Sequence, residues 1–139
     1  MTAILLARHG ENDFAGKGLA GRLPDIHLND KGRQQAELLA ERLGKFPIKA
    51  IFSSPLERAI ETAQPLAKRL GLDIQIRQTL VEVDYGEIQG KEFKQLQRTK
   101  LWKEIQTHPA VVRFPGGESL LEVQQRVCED LVTLAGQFR

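Results

Sequence analysis

Residues 2–7 (TAILLA) form an unbroken apolar run that ends at Arg8, His9 and Gly10. A short run with no alternation predicts a strand buried on both faces. From Gly10 to Asp30 no period holds, and Gly10, Gly16, Gly18, Gly21 and Pro24 punctuate the stretch. A loop of this length in a compact domain is usually functional. The pattern then changes. Ala36, Leu39, Ala40 and Leu43 fall at i, i+3, i+4 and i+7, predicting an amphipathic helix over 30–43 that Gly44 stops. Ile48 to Phe52 reads as a second buried strand. Ser54 as N-cap, Pro55 at the first helical position and Glu57 predict a capping box. Ala63, Leu66, Ala67 and Leu70 supply that helix's apolar stripe, and Gly71 ends it. Residues 72–77 (LDIQIR) alternate, predicting a strand near a sheet edge. Residues 92–106 are weakly helical and 109–117 read as loop. Ser119 and Glu122 form a second capping box, opening a helix with its seam at Leu120, Val123, Val127, Leu131 and Leu134.

Strand and helix in alternation predict an α/β fold with a parallel sheet and helices on its faces. No repeat or linker divides the chain, and 139 residues suit one domain, 1–139. Aromatics are only 6% of residues, so Leu, Ile, Val and Ala must build the core. A net charge of +2 argues against general attraction to nucleic acid or membrane. The single cysteine, Cys128, excludes an internal disulfide framework and a multi-cysteine metal site. It suits a reducing cytoplasm, and its neighbours Val127 and Leu131 predict a buried structural thiol. The first apolar run is too short to span a membrane.

Chemistry concentrates at two predicted strand ends. One runs into Arg8-His9-Gly10-Glu11, the other into Ser53-Ser54-Pro55 with Arg58 behind. In α/β sheets, ligands bind beyond the carboxyl ends of the strands. Parallel strands would bring Arg8, His9 and Arg58 to one edge. Forked guanidinium donors and a helix N-terminus there make a phosphate site. Glu11, a like charge to phosphate, is expected to shape the loop. His27 and His108 read as surface residues. Residues 91–113 carry six Lys or Arg against Glu92 and Glu104, a local +4 suited to steering anionic substrates.

These segments together resemble the histidine phosphatase superfamily, the phosphoglycerate-mutase-like proteins. Leu6-Ala7-Arg8-His9-Gly10-Glu11 is similar to its first signature, and residues 25–32 (DIHLNDKG) to the loop before its first helix. Ser53-Ser54-Pro55-Leu56-Glu57-Arg58-Ala59, followed by Thr62-Ala63, resembles the second signature. Residues 80–90 (LVEVDYGEIQG) resemble the third. Pro115-Gly116-Gly117-Glu118-Ser119 resembles the loop before the last long helix.

The resemblance implies a three-layer α/β/α sandwich with a mostly parallel central sheet. It implies that His9 is the nucleophile of a phosphohistidine mechanism and that Arg8 and Arg58 hold the phosphoryl oxygens. Glu82 corresponds to the proton donor, with Asp84 and Glu87 as rivals. Asn12, Gly21 and Tyr85 are candidate pocket residues, and Phe93 and Trp102 are expected to pack a lid. No metal and no cofactor is implied. The partner expected is a small anionic phosphorylated substrate, with no nucleic acid, no membrane and no particular oligomeric state. The short segment between Gly90 and Pro115 favours a phosphatase over a cofactor-dependent mutase; a non-catalytic phosphate-binding remnant is the third reading. Two departures stand out. Ala15 occupies a position where the family often has asparagine. No motif supplies the family's second catalytic histidine, so the C-terminal strand that carries it is expected beyond Arg139.

Overall fold

A computed structural model describes residues 2–138. They form two compact units, each assembled from separated stretches of chain. Residues 7–15 and 24–81 make the first; residues 2–6, 16–23 and 82–138 make the second.

In the first unit, helix α1 spans Asp30–Leu43 as the periodicity predicts. Asn29 caps it, its side chain accepting the Gly32 N–H at 2.8 Å. The buried face is made of small residues, Gly32, Ala36 and Ala40, and it packs on helix α2, Glu57–Leu70. Strand β1 (Ile51–Ser53) and strand β2 (Ile74–Ile76) flank α2 and pair in parallel, with Ile51 opposite Ile74 and Ser53 opposite Ile76. This is a β-α-β crossover. Its core is Ala40, Ile51, Leu66 and Ala67, edged by Leu43, Ile48, Leu70 and Leu72.

Two local expectations need correction here. The expected strand 48–52 starts at Ile51 and runs on through Ser53. The capping box expected at Ser54 does not form. Leu56 is the N-cap, with extended backbone and no side-chain bond to the helix end. The reason is the preceding ladder. The Ser53 carbonyl still accepts the Arg77 N–H at 2.8 Å, so the chain leaves β1 extended and spends three residues turning.

The second unit has a separate core of Val83, Ile88, Leu96, Val112 and Phe114. Tyr85 meets Phe114 edge-on at 4.9 Å, and Phe93 lies against Trp102 at 5.6 Å. The weak helix expected over 92–106 is two helices, α3 (Phe93–Leu96) and α4 (Lys100–Thr107). Thr99 separates them: its hydroxyl donates back to the Leu96 carbonyl and accepts the Trp102 N–H. Helix α5 (Leu120–Gln137) opens with the expected capping box. Ser119 Oγ accepts the Glu122 N–H at 3.2 Å, and Glu122 Oε2 accepts the Ser119 N–H at 2.8 Å.

Cys128 is exposed, against the expectation of a buried thiol. The buried face of α5 carries Asp130 and Leu134. Two residues of helix turn Cys128 about 200° away from Asp130.

The apolar run 2–7 is not a strand. It joins no ladder, and Ile4, Leu5 and Leu6 are 43%, 52% and 81% exposed. A continuous apolar run becomes a buried strand only when neighbours pair with both its edges. Among the described residues β1 and β2 pair only with each other. Among the described residues no helix is long and apolar enough to cross a membrane.

Candidate active site

The first unit contains Arg8, His9, Asn12 and Arg58. Arg58 is the second residue of α2 and is only 2% exposed. Thr62 follows one turn later on the same face. Its hydroxyl donates to the Arg58 carbonyl at 2.7 Å and accepts the Gly10 N–H at 2.9 Å. One buried oxygen thus ties the loop of His9 to the helix of Arg58. Leaving such a buried N–H without an acceptor costs about 1–3 kcal/mol.

His9 is half-buried and its Nδ1 lies 2.7 Å from the Gly10 carbonyl oxygen. A carbonyl only accepts, so Nδ1 carries the proton. In the neutral ring the free electron pair is then on Nε2. Gly10 is required by close approach, since a Cβ there would lie 2.6 Å from the Gly32 carbonyl oxygen. Arg8 is exposed.

Glu11 turns to the loop, as its charge led us to expect. It pairs with Lys31 at 2.7 Å and accepts from Asn29 Nδ2 at 3.3 Å. The Lys31 and Asn29 hydrogen bonds hold its carboxyl below the usual range. Asn12 is buried, and its Oδ1 accepts the Phe14 N–H at 3.0 Å. His27 is exposed, and its Nδ1 bonds Glu61 Oε1. That bond raises the imidazole above its ordinary 6.5. Glu61 Oε2 also accepts the Leu28 N–H at 2.8 Å.

Glu82, Asp84, Tyr85, Glu87 and Gly21 lie in the second unit. Glu82 Oε1 accepts the N–H of Val83 at 2.8 Å. Its carbonyl oxygen receives Arg22 Nε at 2.9 Å and Arg126 Nη2 at 3.3 Å. Both guanidiniums also grip Glu118. Arg22 Nη2 is 2.9 Å from Glu118 Oε2, and Arg126 Nε is 2.9 Å from Oε1. Glu118 Oε2 further accepts the Asp84 N–H at 3.0 Å. Burial pushes the Glu118 carboxyl up, but Arg126, the Asp84 amide and Arg22 outweigh it and hold it low. Asp84 is occupied locally, its Oδ1 accepting the Gly86 N–H at 2.9 Å and its Oδ2 facing Arg22 at 3.6 Å. Gly21 is buried at φ 53°, and a Cβ there would lie 2.8 Å from the Tyr85 ring. Among the described residues no cluster of three or more metal-ligating side chains occurs.

Arg22, Arg126 and the role of Thr62 were missed in the sequence. For Thr62 a signal existed: a hydroxyl four residues after Arg58 falls on the same helix face. Arg22 in an aperiodic loop gave none.

The description "Histidine phosphatase superfamily (branch 1)" fits residues 4–137. The chain belongs to the histidine phosphatase superfamily. It has the α/β fold of that superfamily, with a small parallel sheet. It is 33% identical over 132 residues to phosphoserine phosphatase 1 of Hydrogenobacter thermophilus, covering 91% of this chain and 61% of that protein. It is 39% identical over 129 residues to phosphoglycerate mutase-like protein 4 of Arabidopsis thaliana, covering 88% and 56%. Among solved structures, mycobacterial glucosyl-3-phosphoglycerate phosphatase superposes with a TM-score of 0.84 at 32% identity, over 94% of this chain and 62% of that one. This histidine phosphatase chain therefore spans less than two thirds of the length of each of these relatives.

Proposed function

We propose that this protein hydrolyses a small phosphorylated metabolite through a phosphohistidine on His9. The observation that carries the reading is the His9–Gly10 contact. It leaves the Nε2 electron pair free in a loop bonded through Thr62 to the helix of buried Arg58. In the first step Nε2 attacks phosphorus, the bond from phosphorus to the ester oxygen breaks, and Glu82 gives that oxygen its proton. In the second step water attacks phosphorus, the P–N bond breaks, and the Glu82 carboxylate takes a proton from the water. Arg8 and Arg58 match the charge on the equatorial oxygens. Glu82 is preferred to Asp84 because Asp84 is already held by Arg22 and the Gly86 amide. Asn12, Gly21 and Tyr85 line or shape the substrate side in this reading.

The substrate class follows the relatives' names, phosphoserine phosphatase and glucosyl-3-phosphoglycerate phosphatase, the latter also solved with inorganic phosphate. The unpaired thiol of Cys128 favours the cytoplasm. The short stretch between Gly90 and Pro115 favours hydrolysis over a mutase exchange.

The deciding experiment is a phosphate-release screen over sugar phosphates, phosphoglycerates, phosphoserine and nucleoside monophosphates, with His9→Ala in parallel. Rapid alkaline denaturation during turnover should trap phosphate on the protein. Turnover persisting in His9→Ala, or label on another residue, overturns the reading.

A further inference from the structure

Thr62 meets the backbone of the His9 loop at Gly10, the residue whose carbonyl accepts from the ring. Its hydroxyl both donates and accepts. The proton goes to the Arg58 carbonyl, a lone pair takes the Gly10 N–H, and the residue is only 6% exposed. The Gly10 N–H belongs to the peptide that joins His9 to Gly10. The next peptide carries the Gly10 carbonyl and the Glu11 N–H. That carbonyl accepts from His9 Nδ1 at 2.7 Å, and that N–H donates to Gln35 Oε1 at 2.8 Å. Gly10, which has no side chain to restrict its dihedrals, is thus clamped on either side. The Gln35 contact is exposed, so water competes with it. The Thr62 contact is buried and is the firmer of the two.

We propose that Thr62 is a positioning residue: by holding the Gly10 amide it orients the carbonyl that keeps the proton on His9 Nδ1. The same hydroxyl bonds the first turn of α2 at Arg58, so nucleophile and phosphate-binding guanidinium share one anchor. This rests on the reading of His9 as nucleophile for its catalytic meaning, though not for its geometry.

The test reads the imidazole directly. The chain has three histidines, and 15N spectra of the full chain labelled at histidine report the tautomer of each. His27 bonds Glu61, the residue preceding Thr62, so its signal reports whether α2 itself is intact. In the parent and in Thr62→Ser, neutral His9 should be mainly the Nδ1–H form. In Thr62→Val, which keeps the shape and removes the hydroxyl, that preference should fall about tenfold, with His27 and His108 unmoved. Turnover should follow, with kcat reduced by about tenfold, KM less affected, and serine restoring it. An unchanged His9 tautomer in Thr62→Val, or shifts at all three histidines, overturns the proposal. Should Thr62→Val not fold, Thr62→Cys supplies a weaker donor and acceptor and must give the same change in smaller degree. If His9→Ala retains turnover while the tautomer shift occurs, the proposed function fails and the positioning role stands.

Discussion

The two units hold their candidate site residues by different physics. In the first, a neutral buried hydroxyl joins Gly10 to Arg58 through two short hydrogen bonds. In the second, the backbone of Glu82 is gripped by two guanidiniums that share the Glu118 carboxylate. The neutral anchor has no titrating group, and salt does not screen it. The ionic clamp is one-fifth to one-third exposed, so it answers to both. A nucleophile, the role proposed for His9, tolerates little change in direction, which suits a buried neutral bond. A loop held by its backbone carbonyl can accept looser, longer-reaching charges.

The sharpest break is at the neutral anchor. Thr62→Val should lower unfolding stability by about 1–3 kcal/mol in urea, whereas Thr62→Ser should cost less than about 1 kcal/mol. A larger loss in Thr62→Ser than in Thr62→Val would show that the methyl group, not the hydroxyl, matters. Next comes Glu118→Ala, which removes the carboxylate that Arg22 and Arg126 share. With the partial exposure discounting the charge effect, about 1–2 kcal/mol should be lost, and Glu118→Gln should recover part of it. High salt should shrink the Glu118 effect and leave the Thr62 effect alone.

Acid separates the units further. Glu118 has its carboxyl held below its ordinary 4.5, so its stabilisation is present above that value and fades as pH falls through the lower folded one. The His27–Glu61 contact contains a group shifted the other way. The imidazole is raised above 6.5, so its contribution is full below 6.5 and is lost as pH climbs through the folded value. Amide exchange reads each locally. The Asp84 N–H, bonded to Glu118, should lose protection toward acid, and loss of protection at Leu28, bonded to Glu61, should begin as pH rises past 6.5. Identical pH profiles at the two amides would sink the contrast. Glu122, held down to about 2 by Arg113 and the Ser119 amide, sits in an exposed pair. Arg113→Ala should therefore scarcely move the unfolding midpoint, the smallest effect of the set.

Legibility in the sequence followed the range of the interaction. The apolar period of α1 and the box at Ser119 and Glu122 are set by near neighbours, and both helices begin where the period and the box place them. The box expected at Ser54 failed because a ladder bond from Arg77, far along the chain, keeps Ser53 extended. His9, Arg8, Arg58 and Glu82 stood out because strand ends and family-like spacing mark them. Arg22 did not, because nothing near it in sequence says that it reaches Glu82, sixty residues away.

The amino-acid sequence alone determined helices α1 and α5, the body of α2, the family and the residues on which chemistry is proposed, since periodicity, capping and motif spacing are local properties. Only the tertiary structure decided whether the apolar run 2–7 becomes a strand, which face of α5 carries Cys128, and what holds Gly10 and Glu82. Strand formation, burial and long-range hydrogen bonds each require a partner 44 to 60 residues distant or a neighbouring element. No local pattern encodes which partner arrives.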